Sequence, residues 1–185
     1  MACEVIASQG FGHTRTADIA RAAGVAQALL FYHFETKDKL FAQAFQYAVR
    51  HHLDRLTELE KSDDPPLKRL RDLLGLYIPT VRSPGWALLI DAWAEAMRSP
   101  ALEDASRTLA LRWKRVLTTI IEDGVAAGTF TCPDPHSAAW RILSLIDGLA
   151  VQVTAHRRML THARLTCLVR TATARELAIS PDVLS

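Results

Sequence analysis

Apolar residues along this chain recur at three- and four-residue intervals, and no stretch alternates cleanly at period two, so the pattern predicts helices and no sheet. Start and stop signals divide it into about nine helices. Gly10-Phe11-Gly12 ends a short first helix, Thr14 or Thr16 can cap a second over Thr16-Ala23, and Gly24 breaks it. A third covers about Gln27-His33, and Thr36 caps a long fourth that runs to about Glu60, with Asp38 in its first turn. Asp64-Pro65 reads as a cap followed by proline at the first helical position, and opens a fifth helix ending near Pro79. Ser83-Pro84 repeats that signal for a sixth helix, which ends near Ser99-Pro100. A seventh runs from about Ala101 to Ala127 and closes at Gly128. Asp134-Pro135 opens the eighth, which ends near Arg157-Arg158. Thr161 caps a ninth reaching about Ala178, and the tail Ser180-Ser185 reads as frayed.

Residues 16–34 have the form helix, tight turn, helix. Ile19, Ala20 and Ala23 share one face of the second helix, and Val25 plugs the joint after Gly24. On the third helix, Ala26, Leu29, Leu30, His33 and Phe34 fall on one side, suited to packing on helices one and two. Gln27, Ala28, Phe31 and Tyr32 fall on the other. That outer side carries two aromatics and an amide but no charge, which suits a nucleic-acid groove better than water. A helical corner inside a core is the plainer alternative.

The same stretch resembles the TetR family of transcriptional regulators. The resemblance rests on Gly10-Phe11, Thr14, Asp18-Ile19-Ala20, Ala22-Ala23-Gly24-Val25, Leu30-Phe31-Tyr32-His33-Phe34 and Thr36-Lys37-Asp38-Lys39-Leu40, and covers about the first fifty residues. It implies an all-α chain with a three-helix helix-turn-helix domain over 1–45 and a helical ligand-binding and dimerisation domain over 46–185. The third helix would enter the major groove of double-stranded DNA. Gln27 matches a position that often reads a base edge, and an amide can bond adenine bidentately. Ala28 and Leu29 would meet thymine methyls. Phe31 stands where the family usually has a phosphate-contacting tyrosine, and Tyr32 is one candidate to replace that hydroxyl. Tyr32, His33 and Lys37 match other backbone-contact positions. Lys37 sits at a helix N-terminus that also favours phosphate, and Arg15 and Thr16 stand at the front of helix two. On its own residue type His33 reads first as a core or hydrogen-bonding residue; a solvated lysine is the alternative for Lys37, and packing against helix one the alternative for Phe31.

Two departures from the family pattern stand out. Ala26 replaces the serine that commonly caps the recognition helix, a change that costs about 1 kcal/mol. The chain also enters helix one several residues late, which points to a truncated or misplaced start and would weaken DNA binding.

The larger half is richer in aromatics. The sixth helix carries Trp86, Leu89, Ile90, Trp93 and Met97 on one face, opposite Asp91 and Glu95; the seventh adds Trp113, Val116, Leu117, Ile120 and Ile121. Such a stripe is core by default. The family, however, binds small effectors between helices of this half, so Tyr77, Trp86, Leu89, Trp93, Met97, Trp113 and Leu117 are expected to line a pocket for an apolar, aromatic or cationic molecule. The run Trp86-Trp93-Glu95, Trp113, Glu122-Asp123-Gly124, Gly128-Phe130 and Asp147-Gly148-Leu149 also loosely resembles the betaine-pathway repressor subgroup. In the eighth helix Ala138, Ile142, Leu145, Ile146, Leu149 and Val153 form a stripe, with Trp140, Asp147 and Val151 behind it. In the ninth Leu165, Leu168, Val169 and Ala172 form the stripe, with Ala163, Cys167 and Ala174 behind. Two-faced helices imply a partner as well as a core. By resemblance, Trp140, Asp147, Val151, Ala163, Cys167 and Ala174 are expected at a homodimer interface. A C-terminal helix sunk wholly in a monomer core is the alternative.

Composition adds mainly exclusions. The 185 residues suit one compact domain or a small one with an appendage, and no uninterrupted apolar run reaches the length a membrane helix needs, so no membrane partner is expected. The net charge is +2, and the first fifty residues hold five basic and four acidic side chains, so charge alone would not suggest DNA. Cys3, Cys132 and Cys167 are scattered and odd in number, consistent with a reducing cytoplasm and with no metal. There is no HExxH, no glycine-rich phosphate loop and no nucleophile elbow, and His51-His52 with Asp54 reads as a solvated face, so neither enzyme activity nor a cofactor is expected. The chain thus reads as a ligand-responsive regulator, a repressor of palindromic operators. The alternative is a helical dimer that binds a ligand or partner without DNA.

Overall fold

The computed structural model describes residues 1–80, 84–156 and 159–184. The cap expected at Ser83 and the helix end expected at Arg157-Arg158 lie outside the described residues. Ten α-helices follow one another, with no strand among the described residues: α1 Ala2–Gln9, α2 Thr16–Ala23, α3 Gln27–Phe34, α4 Lys37–Ala48, α5 Arg50–Lys61, α6 Pro66–Tyr77, α7 Pro84–Ala96, α8 Pro100–Ala126, α9 Pro135–Ala155 and α10 His162–Leu177. The tenth helix arises because the long fourth one is interrupted at Val49, whose φ of −92° and ψ of 1° leave the helical basin. No glycine or proline marks that break.

Most helix starts follow the expected chemistry. The hydroxyls of Thr36 and Thr161 accept the N–H groups of Lys39 and Arg164, each at 3.2 Å, and Asp134 accepts that of Ser137 at 3.0 Å ahead of Pro135. Two expectations shift. Helix α6 opens one residue later than expected, with Pro65 as the cap, because the Asp64 carboxylate is drawn instead to Ser62 and Lys68. At α2 neither threonine is the cap. Arg15 holds that position, its N–H donating to the Asp18 carboxylate at 3.2 Å. The tail also differs: Pro181–Leu184 forms a short 3-10 helix that packs on α6 and α10, and Leu184 is buried.

The chain gathers into two compact units: Met1–His51 with Pro84–Ala110, and His52–Ser83 with Leu111–Ser185. In the first, Ile6, Phe11, Ile19, Leu30, Leu40, Phe41 and Phe45 form the core of the four N-terminal helices, with Phe11 edge-on to Phe41 at 5.5 Å. Helix α7 belongs to this unit through Asp91, whose carboxylate accepts the Phe11 N–H at 2.6 Å.

The second unit is a bundle of α6, the rest of α8, α9 and α10 around Leu70, Leu73, Leu117, Ile120, Ile121, Ile142, Ile146, Leu165 and Val169. Polar ties set its register. Buried Arg69 donates to the Leu59 carbonyl and to Asp123, and Arg141 makes a two-pronged pair with Glu176 at 2.7 and 2.6 Å. Helix α9 is long and apolar enough to cross a membrane by length and composition, although Arg141 and Asp147 interrupt its apolar run. A core helix passes the same test, and α9 packs on α10.

Two tight turns constrain the backbone. Glu35, between α3 and α4, has φ 62° and ψ −51°, and the Thr36 N–H reaches back to the Phe34 carbonyl at 2.6 Å. This is a γ-turn with positive φ at its centre, a strained form for a side-chain-bearing residue. Replacing Glu35 with Gly is therefore expected to raise stability by about 1 kcal/mol in urea unfolding. After α8 the chain folds over Gly124, whose carbonyl accepts the N–H groups of Thr129 and Phe130. A Cβ on Gly124 would sit 2.0 Å from the buried Phe130 ring. Gly124→Ala is expected to lower stability by about 3 kcal/mol in the same measurement.

Candidate DNA interface and effector half

Helix α3 is eight residues long and bounded by two turns. Gly24 ends α2 in the left-handed conformation, φ 68° and ψ 29°, which costs glycine no steric clash. The Val25 N–H then returns to the Ala20 carbonyl at 3.0 Å, closing the turn. Ala26 caps α3 without a side-chain hydrogen bond, as its methyl dictates.

The outer face of α3 is exposed. Gln27, Ala28, Phe31 and Tyr32 all face out, and Tyr32 is 81% exposed with its ring edge-on to His33. The inner face is narrower than the wheel suggested. Leu30 is buried and Phe34 half-buried, whereas Ala26, Leu29 and His33 are exposed. Eight residues give only two turns, so a single leucine suffices to anchor the helix.

Gln27 donates through Nε2 to the Thr16 hydroxyl at 2.7 Å. An amide nitrogen carries two hydrogens, so the second N–H and the carbonyl stay open for a base edge. The Thr16 side chain is buried and its oxygen accepts this bond, which ties the front of α2 to α3. Arg15 beside it is exposed. The Lys37 ammonium lies 4.7 Å over the Phe41 ring, at the N-terminus of α4.

The residues expected to line a pocket fall in both units. In the second, Tyr77 and Trp113 meet at a tilt of 42° with ring centroids 4.3 Å apart, His52 lies 6.2 Å from Trp113, and Leu117 is fully buried. In the first, Trp86 and Trp93 meet edge to face at 6.1 Å, Leu89 is half-buried, and Met97 is 78% exposed. Met97 follows the last residue of α7, where the chain turns its side chain out of the helical stripe. None of these seven lines the cleft that opens in the second unit between α6 and α10.

The set expected at a dimer interface also divides. Ala163 and Cys167 are exposed on α10. Trp140 is 52% exposed and carries the Lys114 ammonium 4.4 Å above its ring, and Val151 is half-buried. Ala174 is a correction: it is 1% exposed inside its own unit, because the buried stripe of α10 runs Leu165, Val169, Thr173 and Leu177 with Ala174 at its edge. Asp147 faces inward and accepts a hydrogen bond from the Tyr77 hydroxyl at 2.6 Å.

Burial raises the Asp147 carboxyl above its ordinary value, with the Tyr77 hydrogen bond pulling the other way. Burial, then the nearby Asp147 charge, pushes the Tyr77 hydroxyl strongly up. A carboxyl whose folded pKa is raised favours folding when protonated. Its contribution is full below the ordinary value of 3.8 and is lost as pH rises through the raised value. Asp147→Asn is therefore expected to stabilise the protein at pH 7 and to flatten the pH dependence of unfolding above pH 3.8, followed by thermal melts across pH.

Residues 1–44 match the sequence profile of bacterial regulatory proteins of the tetR family, and residues 66–178 match that of the BetI-type transcriptional repressor C-terminal domain. Among curated relatives, the HTH-type transcriptional regulator CymR of Pseudomonas putida is 24% identical over 80% of this chain and 73% of its own length. The nucleoid occlusion factor SlmA of Vibrio campbellii is 23% identical over 76% of this chain and 73% of its own. Among solved structures, a transcriptional regulator from Saccharomonospora viridis in complex with choline superposes with a TM-score of 0.82 at 27% identity, covering 95% of this chain and 93% of that one. A TetR transcription regulator from Haloarcula marismortui gives 0.79 at 22% identity, over 95% and 91% of the two chains. The exposed recognition helix, the turn at Gly24 and the two profile matches lead to one conclusion: this chain belongs to the TetR family of DNA-binding transcriptional regulators.

Proposed function

We propose that the chain is a homodimeric repressor that reads a palindromic operator with α3 and releases it on binding a small-molecule effector. Residues 1–45 then read DNA, and 46–185 carry effector binding and dimerisation. The observation that carries this reading is the uncharged, exposed face of Gln27, Ala28, Phe31 and Tyr32. In a major groove, Gln27 reads an adenine edge while its Thr16 bond holds the amide in place, and Ala28 and Leu29 meet thymine methyls. Phe31 packs along the groove wall, and Tyr32, His33, Arg15 and Lys37 reach the phosphates. The exposed small and polar residues Ser144, Gly148, Ala163 and Cys167 leave room for a second copy against α9 and α10.

Aromatic faces beside a half-buried carboxylate suit a quaternary ammonium. Tyr77, Trp113 and Asp147 offer that combination, and the relative from Saccharomonospora viridis was solved with choline. A cationic effector of that kind is our reading of the signal.

Gel shifts on DNA flanking the chain's own gene, with the complex mass from light scattering, test the regulator. We expect two protomers on a palindrome, preferred over random DNA. Gln27→Ala should cost about 1–3 kcal/mol and relax preference at one position of each half-site. Lys37→Ala should weaken all sequences alike and reduce the salt slope by about 1 for each protomer. No preference for any palindrome would defeat the reading. For the effector, choline at saturating concentration should raise the melting temperature, by about 2.7 kcal/mol of stabilisation at a hundredfold excess over its Kd, and should release the operator. A thermal melt that choline leaves unmoved removes the cationic assignment while leaving the DNA reading intact.

A further inference from the structure

The cleft in the second unit has a volume of about 560 Å³ and is lined by α6, α10 and the C-terminal 3-10 helix. Its wall on α6 presents Lys68, Arg71, Asp72 and Gly75, spaced three and four residues apart and hence on one face. Its wall on α10 presents His162, Thr166 and Arg170 at four-residue spacing. Leu74, Ile78 and Leu184 supply apolar surface.

The charges in this cleft are unequally satisfied. Lys68 is neutralised by Asp64 at 2.6 Å and Asp72 at 3.1 Å. Arg71 and Arg170 have no carboxylate partner among the described residues, whereas Arg69 pairs with Asp123, Arg112 with Glu60 and Arg141 with Glu176. Two guanidinium groups on opposite walls of one cleft, over an apolar surface, form a fork for an anion. His162 adds direction. Its Nδ1 lies 2.9 Å from the Pro79 carbonyl, which can only accept, so Nδ1 carries a hydrogen and the Nε2 edge is left for a ligand.

Gly75 supports the same reading from the backbone. Glycine in a helix interior is unfavourable, yet Gly75 has an ordinary negative φ and a Cβ there would meet nothing within 4 Å. The missing side chain relieves no clash. Its absence keeps the cleft open where Leu74 and Ile78 flank it.

We infer that this cleft binds a small organic anion, a carboxylate held between Arg71 and Arg170 with a short apolar chain laid over Gly75, Leu74 and Ile78. The volume lies in the usual range for small-molecule sites. This site is separate from the Tyr77–Trp113 cluster and takes the opposite charge, so it stands whether or not the cationic effector does.

Octanoate is the probe, titrated calorimetrically into the full-length protein, with octyltrimethylammonium as the control of equal chain length and opposite charge. Octanoate should bind and octyltrimethylammonium should leave octanoate binding uncompeted. Arg71→Ala and Arg170→Ala should each weaken octanoate by about tenfold or more, with unchanged melting because neither side chain is paired. Gly75→Leu should fill the cleft and abolish binding while the protein stays folded; if that variant does not fold, the two arginine variants decide alone. The assignment is overturned if octanoate does not bind at millimolar concentration, if both arginine variants bind it like the wild type, or if the ammonium competes with it.

Discussion

The geometry of the N-terminal helix-turn-helix depends on one charge-assisted hydrogen bond, from the Phe11 N–H to the Asp91 carboxylate. Helix α1 stops at Gly10, whose φ of 84° turns the chain and brings its Cα close to Asp91. The Phe11 amide lies in the turn after α1 and finds no backbone carbonyl among the described residues, and the carboxylate satisfies it. Below that point the Phe11 ring is wholly buried against Phe41, and the Thr14 hydroxyl donates to the Gly10 carbonyl at 2.6 Å. Three contacts therefore fix the short segment that aims α2, and α2 in turn carries α3 through the Gly24 turn. The same bond explains why α7, far along the sequence, shares a compact unit with the first four helices.

The second unit is held differently. Its apolar stripes set how closely the helices approach, but stripes of Leu, Ile and Ala tolerate a slip of one turn. Arg69 removes that freedom by joining α5, α6 and α8, Tyr77 with Asp147 joins α6 to α9, and Arg141 with Glu176 joins α9 to α10. These are long-range pairs whose partners are fixed only once the bundle has formed. Polar chemistry specifies one register among several of similar apolar burial.

That division also explains what could be read from the chain alone. Thr36, Asp134 and Thr161 act on donors three residues away, so their caps were legible, as was the Gly24 turn with the Leu30-Phe31-Tyr32-His33-Phe34 run behind it. What escaped was chemistry that depends on distant partners. Thr16 reads as a helix-front residue until Gln27 takes its hydroxyl. Asp64 reads as a cap until Lys68 claims it, and Asp147 reads as an outward residue until Tyr77 meets it. Ala174 misled because alanine fits either face of a helix, and the break at Val49 carries no composition signal at all.

The length of α3 has a consequence for information. Positive-φ residues at Gly24 and Glu35 close it on both sides, so it cannot grow beyond eight residues without rebuilding both turns. Eight residues extend about 12 Å, comparable to the width of the major groove and to roughly three or four base pairs. A word that short recurs throughout any genome. On the function proposed above, one copy of this helix recognises a syllable but not an address, and a second copy set at a fixed spacing would make the message long enough to be rare.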